Sequence, residues 1–136
     1  MNPARIVLIE DNSADVFLIE MALKEIGIVY EMTRFHNGQD AIDVLCPAPG
    51  PTASTLRPDV ILLDLNTPKS DGFAVLEKLK QAPHLAGVPI AIVTSSQAAS
   101  DKHRAGIIGR TRYIEKPSNL EEFLTTVGQA VKEMLA

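Results

Sequence analysis

The sequence predicts an α/β domain in which a doubly wound, five-stranded parallel sheet carries helices on both faces. Short apolar segments alternate with segments of helical periodicity five times along the 136 residues, the order typical of a parallel sheet with crossover helices. Three of the apolar segments are almost continuously apolar, as strands buried on both faces are. Of the two common doubly wound strand orders, 2-1-3-4-5 suits five strands.

Five apolar segments predict the strands in chain order. The first, third and fourth are the most continuously apolar, whereas the second alternates between apolar and polar residues, as an edge strand does. The predicted strands are RIVLIE (5–10), VYEMTRF (29–35), DVILLD (59–64), PIAIVTS (89–95) and RYIEK (112–116).

Apolar residues at helical spacing predict a helix after each strand. Asn12 and Ser13 are candidate caps of the first helix, and Gly27 ends it. Asp15 is expected to be a first-turn acid of that helix, where the helix dipole favours negative charge, and Asp71 is expected to cap the third. The predicted helices span 14–26, 37–46, 71–82, 97–108 and 118–135, and the fourth has the fewest large apolar residues.

The first and last helices have the clearest apolar stripes. The last begins with SNLE, a capping-box pattern in which Ser118 is the expected cap and Glu121 follows three residues on. The stripe of the first helix comprises Val16, Ile19, Ala22, Leu23 and Ile26. That of the last comprises Leu120, Phe123, Leu124, Val127, Val131 and Met134.

The net charge and the residue composition argue against several classes of function. A net charge of −4 argues against general affinity for nucleic acid or anionic membranes. Cys46 is the only cysteine, so no internal disulfide forms, and no apolar run approaches the roughly 20 residues that span a bilayer. We expect a single cytoplasmic domain over 1–136 with no output domain. The Pro-, Gly-, Ser- and Thr-rich segment 46–58 predicts a long surface loop.

Polar residues follow the predicted strands at their carboxyl ends. Glu10 and Asp11 follow the first strand, Asp64 the third, Thr94 the fourth and Lys116 the fifth. The carboxyl ends of parallel strands meet at one edge of the sheet, and ligands bind there where the strand order reverses. Three acids, a hydroxyl and an ammonium group are therefore expected at one site.

Phosphoryl chemistry suits this set of groups. Neighbouring carboxylates repel one another, and Mg²⁺ relieves the repulsion while leaving coordination positions for phosphate. Lys116 can pair with phosphoryl oxygens, and Thr94 can donate a hydrogen bond to one of them. Asp64, the acid at the end of the central strand, is in position to be the nucleophile that forms an aspartyl phosphate.

Four motifs at these strand ends resemble those of the response-regulator receiver domain, which accepts a phosphoryl group from a sensor histidine kinase. LIEDNSAD resembles its paired-acid motif, and ILLDLNTPKSDG its phosphoacceptor motif, including Pro68 and Gly72. IVTSS resembles the switch-hydroxyl motif, and YIEKP the aromatic, lysine and proline motif. The resemblance covers essentially the whole chain, and it implies a flavodoxin-like fold and a role in two-component signal transduction.

The resemblance implies a phosphoacceptor and a metal site. Asp64 is the implied phosphoacceptor, and Asp11, Glu10, Asp64 and the backbone carbonyl of Asn66 are the implied Mg²⁺ ligands. The first acid is Glu instead of the more frequent Asp, a variation that leaves the metal site intact. Asn66 and Ser96 are the positions that tune dephosphorylation in this family. The chain is thus expected to be a signalling phosphoacceptor with slow autodephosphorylation, and not an enzyme.

The resemblance also implies the parts of a switch. Thr94 and Lys116 would contact the phosphoryl group, and Tyr113 would move when Thr94 is drawn toward it. Pro117 would follow a cis peptide bond that helps to aim Lys116, and cis bonds are uncommon even before proline.

The expected partners are a sensor histidine kinase and a downstream protein or phosphotransfer protein. The 46–58 loop and the segments EDNSADVFLIE and DLNTPKSDG are closest to stand-alone receivers that pair with bacterial phytochrome kinases. Phe17 and Met21 are apolar residues expected on the charged face of the first helix, and we interpret them as a kinase-docking patch.

A second surface has two interpretations. Arg104, Arg110 and Arg112 lie near the fourth helix, the fifth strand and the last helix. Acids of the last helix could oppose them across a symmetric homodimer. The alternative is an ordinary solvated charged face.

Three alternative functions share parts of the pattern. A Mg²⁺-dependent phosphohydrolase of the haloacid-dehalogenase type would also use Asp64 as nucleophile, but it would need a second Asp where this chain has Asn66. A flavodoxin-like cofactor binder would carry a Gly/Ser/Thr phosphate loop where this chain has the acidic EDNSAD. A receiver that works without phosphate is a third alternative, against which the intact acid, Thr94 and Lys116 set argues.

Overall fold

The computed structural model describes residues 2–46, 57–67, 71–95, 98–108 and 111–136. The strands are β1 (Ala4–Ile9), β2 (Tyr30–Phe35), β3 (Val60–Leu63), β4 (Ile90–Thr94) and β5 (Arg112–Glu115). The helices are α1 (Ser13–Glu25), α2 (Gly38–Leu45), α3 (Gly72–Gln81), α4 (Ala99–Ile108) and α5 (Leu120–Leu135), with a short 3₁₀ helix at Pro83–Leu85. Most of the predicted 46–58 loop lies outside the described residues.

The strands form one parallel sheet in the order β2-β1-β3-β4-β5, which confirms the predicted topology. β2 is an edge strand, as its alternating sequence predicts. The register pairs Ile9 of β1 with Leu63 of β3. The residues that follow these two, Glu10 and Asp64, are therefore neighbours at the carboxyl edge of the sheet.

Two apolar layers cover the two faces of the sheet. One lies beneath α2, α3 and α4, and the other beneath α1 and α5. Successive side chains of a strand point to opposite faces, so β1 sends Val7 and Ile9 to the first layer and Ile6 and Leu8 to the second. β3 and β4 divide their residues in the same way, which explains why these three strands are continuously apolar.

Side chains cap the helix starts. Asn12 Oδ1 accepts hydrogen bonds from the N–H groups of Ala14 (2.9 Å) and Asp15 (3.2 Å), so Asn12 and not Ser13 caps α1. Asp71 Oδ1 accepts from the N–H of Phe73 at 2.9 Å, as predicted for a cap of α3. These bonds fix the first turns of two helices that flank the carboxyl edge of the sheet.

The start of α5 differs from the prediction. Asn119 and not Ser118 caps the helix, and its Oδ1 accepts from the N–H of Glu122 at 3.1 Å. Leu120, expected in the buried stripe, is 51% exposed. Helical side chains tilt toward the N-terminus, so the side chain of this first residue extends beyond the helix instead of over its apolar face.

Candidate functional site

The ends of β1 and β3 bring three carboxylates together. Glu10 and Asp11 follow β1 and Asp64 follows β3, and one carboxylate oxygen from each lies within 4.8 Å of the other two. Glu10 is 1% exposed and Asp64 6% exposed, whereas Asp11 is exposed. Three carboxylate oxygens at this spacing fit a hard divalent cation, which prefers oxygen ligands.

Among the described residues, one donor contacts each oxygen of the Asp64 carboxylate. Its Oδ1 accepts from the N–H of Asn66 at 3.0 Å, and its Oδ2 accepts from Lys116 Nζ at 3.0 Å. The Asn66 side chain donates to Thr94 Oγ1 at 3.3 Å, and Thr94 is fully buried at the end of β4. The structure thus brings these four predicted site residues together.

Lys116 lies among three carboxylates, and one of them, Asp15, was not among the predicted site acids. Its Nζ is 2.9 Å from Glu10 Oε2, 3.0 Å from Asp64 Oδ2 and 2.7 Å from Asp15 Oδ2. The prediction that Asp15 is a first-turn acid of α1 is confirmed, but its contact with Lys116 was missed. Sequence spacing gives no signal for this contact, because 101 residues separate the two partners.

Burial and charge shift the pKa of two groups at this site. Burial raises the pKa of Glu10 to about 7, and the charge of Asp64 adds to the rise while Lys116 opposes it. Burial by itself would lower the pKa of the Lys116 ammonium, but hydrogen bonds to Asp15 and Glu10 and the charges of Asp64 and Glu10 raise it overall. Lys116 is therefore fully charged at neutral pH, and the acids around it still favour a second cation.

Arg34 of β2 holds the segment that carries the paired acids. Its Nε donates to the carbonyl oxygen of Glu10 and one Nη to that of Asp11, each at 3.1 Å. The sequence gives no signal for this contact, since an arginine at the end of an edge strand is ordinarily solvated. Its guanidinium fixes the backbone from which both carboxylates project.

Pro117, the residue after Lys116, was predicted to follow a cis peptide bond. No cis peptide bond occurs among the described residues, so the bond between Lys116 and Pro117 is trans and the cis prediction is wrong. The trans form is favoured by roughly 0.5–1 kcal/mol before proline, and Lys116 reaches all three carboxylates with this bond in the trans form.

Tyr113 is half-buried and packs against the layer beneath α2, α3 and α4. Ser96 and Pro68 lie outside the described residues.

The predicted docking patch on α1 is reduced to one residue. Phe17 is 62% exposed. Met21 is half-buried and packs against the layer beneath α1 and α5, which corrects the expectation that it points away from the core. α1 lies against α5 over much of its length, so residues on the flank of its apolar stripe are covered too.

The predicted arginine surface contains contacts within the chain. Arg112 Nη1 is 2.7 Å from Glu133 Oε1 of α5. The Arg104 guanidinium lies 4.3 Å from the centroid of the Phe73 ring, within the range of a cation–π contact. Arg110 lies outside the described residues. Two of the three arginines therefore contact this chain's own side chains.

Within the described ranges, no helix is long and apolar enough to cross a membrane.

Comparisons with known proteins agree with this geometry. The family model described as the response regulator receiver domain matches residues 6–128. The response regulator Rcp1 of Synechocystis sp. is 34% identical over 127 residues, which cover 93% of this chain and 86% of Rcp1.

Solved structures match the fold over nearly the whole chain. The phosphorylated cyanobacterial phytochrome response regulator RcpA superposes with a TM-score of 0.86 at 33% identity, covering 99% of this chain and 96% of RcpA. The Mn²⁺-bound form of Rcp1 superposes with a TM-score of 0.84 at 33% identity, covering 98% and 95%. This chain therefore belongs to the response regulator receiver domains, the signalling phosphoacceptor domains of two-component systems.

Proposed function

We propose that this receiver accepts a phosphoryl group on Asp64 from a sensor histidine kinase, with Mg²⁺ held by Glu10, Asp11, Asp64 and the backbone carbonyl of Asn66. The observation that carries the proposal is the buried Asp64 carboxylate, whose two oxygens are held by Asn66 N–H and Lys116 Nζ beside two further acids. The phosphorylated RcpA and the Mn²⁺-bound Rcp1, both similar to this chain, support it.

In the proposed reaction an oxygen of Asp64 attacks the phosphorus, and the bond from phosphorus to the donor's leaving atom breaks. Lys116 and the Thr94 hydroxyl then donate hydrogen bonds to the phosphoryl oxygens. When bound, Mg²⁺ neutralises part of the phosphoryl charge. The acyl phosphate is later hydrolysed slowly, at a rate that Asn66 and Ser96 tune.

The proposed output is a change in the face formed by α4, β5 and α5. Phosphorylation adds about −2 charge beside Thr94, and Thr94 and Tyr113 shift in response. This local change biases a two-state surface. That surface then binds a downstream protein, a phosphotransfer protein or a second copy of the chain.

The test of the proposal is the mass of the intact protein after incubation with acetyl phosphate and Mg²⁺. We expect a gain of one phosphoryl group that is absent when Mg²⁺ is chelated and absent in Asp64→Asn. Asp59→Asn is the matched control. Asp59 directly precedes β3, at the end of the strand away from Asp64, and its Oδ2 accepts a hydrogen bond from the N–H of Arg5. That variant should be labelled like the unsubstituted protein.

Two results would contradict the phosphoacceptor proposal. One is equal labelling of Asp64→Asn, which would move the acceptor to another residue. The other is the absence of labelling together with no binding of beryllofluoride, an analogue of the phosphoryl group. The second result would favour a receiver that works without phosphate.

We propose further that Phe17 contacts the kinase, which we take to be of the bacteriophytochrome type. This 62% exposed aromatic side chain lies on the helix that also contributes Asp15 to the site. Phe17→Ala should slow phosphoryl transfer from the kinase about tenfold, the effect of losing one aromatic anchor worth about 1.4 kcal/mol, and leave labelling by acetyl phosphate unchanged.

The matched control for Phe17→Ala is Val44→Ala. Val44 is 46% exposed on α2, which covers the other face of the sheet. Met21→Ala should have a smaller effect than Phe17→Ala, because Met21 is half-buried. An unchanged transfer rate for Phe17→Ala, measured with a bacteriophytochrome-type histidine kinase that phosphorylates the unsubstituted protein, would refute the docking proposal.

Other functions fit less well. The haloacid-dehalogenase alternative needs an acid where Asn66 lies, and the Asn66 side chain bonds to Thr94 instead. The flavodoxin-like alternative needs a phosphate loop after β1, where the paired acids lie. The absence of an output domain and the cytoplasmic location stay predictions.

A further inference from the structure

The Lys116 ammonium has three N–H donors and three carboxylates within hydrogen-bond distance. Two of these carboxylates, Glu10 and Asp64, are proposed metal ligands. The third, Asp15, is outside the proposed metal set and makes the shortest contact, 2.7 Å. The pair is largely shielded from solvent, since the side chains of Lys116 and Asp15 are 11% and 25% exposed.

We infer that Asp15 is a positioning residue that holds the Lys116 ammonium ready for the incoming phosphoryl group. The inference rests on the proposed phosphoacceptor function. In it, Lys116 contacts the phosphoryl oxygens, and Asp15 acts only through Lys116.

Both ends of this ion pair are anchored by backbone hydrogen bonds. The Asp15 N–H donates to the Asn12 cap at 3.2 Å. The Lys116 N–H donates to the carbonyl of Thr94 at 2.7 Å. The contact therefore joins two fixed points, the first turn of α1 and the end of β5.

The division of the three contacts explains why a third acid is useful. A bound cation and a phosphoryl group would occupy oxygens of Glu10 and Asp64. The hydrogen bonds from Lys116 to these oxygens must then weaken or break. The contact with Asp15 has no need to change. Asp15 thus keeps the ammonium at the site while its other two N–H groups turn to the phosphoryl oxygens.

An acid at this place has a simpler explanation as a partner of the helix dipole. A dipole effect requires only that the acid lie in the first turn. It does not require that the carboxylate reach across to the fifth strand and meet a buried ammonium. The two explanations differ in what the removal of Asp15 does to phosphoryl transfer.

The test measures the labelling rate by acetyl phosphate at saturating Mg²⁺, together with the Kd of Mg²⁺ by calorimetry. Asp15→Asn should slow labelling about tenfold, the size expected for one charge-assisted hydrogen bond. Its Kd for Mg²⁺ should stay within about threefold, because Asp15 is not a ligand. Asp15→Ser serves as a second variant if Asp15→Asn fails to fold.

Asp40→Asn is the matched control. Asp40 is also a first-turn acid, on α2, and its carboxylate accepts from the Asn37 side chain at 3.2 Å instead of from a lysine. We expect wild-type labelling and Mg²⁺ affinity for this variant. The same substitution at two helix starts thus separates the contact with Lys116 from a general helix-start effect.

Three results would overturn the inference. An unchanged labelling rate for Asp15→Asn would show that the Lys116 ammonium is positioned without Asp15. A parallel loss of Mg²⁺ affinity of tenfold or more would show that the substitution deforms the whole site. If the unsubstituted protein gains no phosphoryl group while it binds Mg²⁺, the proposed function itself fails and the inference fails with it.

Discussion

Lys116→Met is expected to lower the free energy of unfolding of the metal-free protein by about 3 kcal/mol. The substitution leaves Glu10, Asp15 and Asp64 without the ammonium that lies 2.7–3.0 Å from each of them. Removing one partner of a buried ion pair costs roughly 3–5 kcal/mol. We expect the lower end because burial already raises the pKa of Glu10 to about 7, so this acid can take up a proton. Urea unfolding in EDTA measures the loss.

Mg²⁺ should restore much of the stability that Lys116→Met removes. A ligand that binds only the folded state adds stability according to its concentration relative to Kd, and the variant's unpaired acids should bind a cation more tightly.

Lys102→Met is the matched control for Lys116→Met. Lys102 pairs with Glu115 at 3.5 Å on the surface, where its side chain is 60% exposed, and such pairs contribute about 0–1 kcal/mol. Equal losses for the two variants would contradict the ion-pair argument.

Gly72→Ala is expected to cost about 3 kcal/mol of stability and to slow labelling of Asp64. A Cβ at this position would lie 2.6 Å from the Cα and 2.8 Å from the carbonyl oxygen of Leu65. Backbone atoms cannot rotate away as a flexible side chain can. Leu65 directly follows Asp64, so any movement that relieves the clash also displaces the phosphoacceptor. Urea unfolding and the acetyl phosphate mass assay measure the two effects.

Gly106→Ala is the control for Gly72→Ala. Gly106 lies within α4, and a Cβ there would meet nothing within 4 Å. Alanine is the better helix former, so this variant should be neutral or more stable by about 0.5–1 kcal/mol. A Gly72→Ala protein that is as stable and as readily labelled as the control would mean that the turn between β3 and α3 adapts without moving Asp64.

The sequence by itself determined the fold and most of the site. Strands buried on both faces must be continuously apolar, so a carboxylate directly after such a strand is conspicuous. Asp64 and Glu10 were identified on that ground, and Thr94 and Lys116 by the same position on their own strands. The parallel topology then requires that these ends meet at one edge, and the observed register agrees.

Only the tertiary structure decided the contacts between elements that are distant along the chain. Asp15 is expected to be only a helix-start acid until the first turn of α1 and the end of β5 meet at the carboxyl edge of the sheet. Arg34 is expected to be solvated until β2 pairs with β1. Met21 is half-buried because α1 packs against the sheet beside α5. Strand periodicity sets the face on which a residue lies, but a helix or loop side chain finds its partner only when neighbouring elements pack. The contacts of Asp15 and Arg34 and the burial of Met21 were therefore the features that the sequence could not supply.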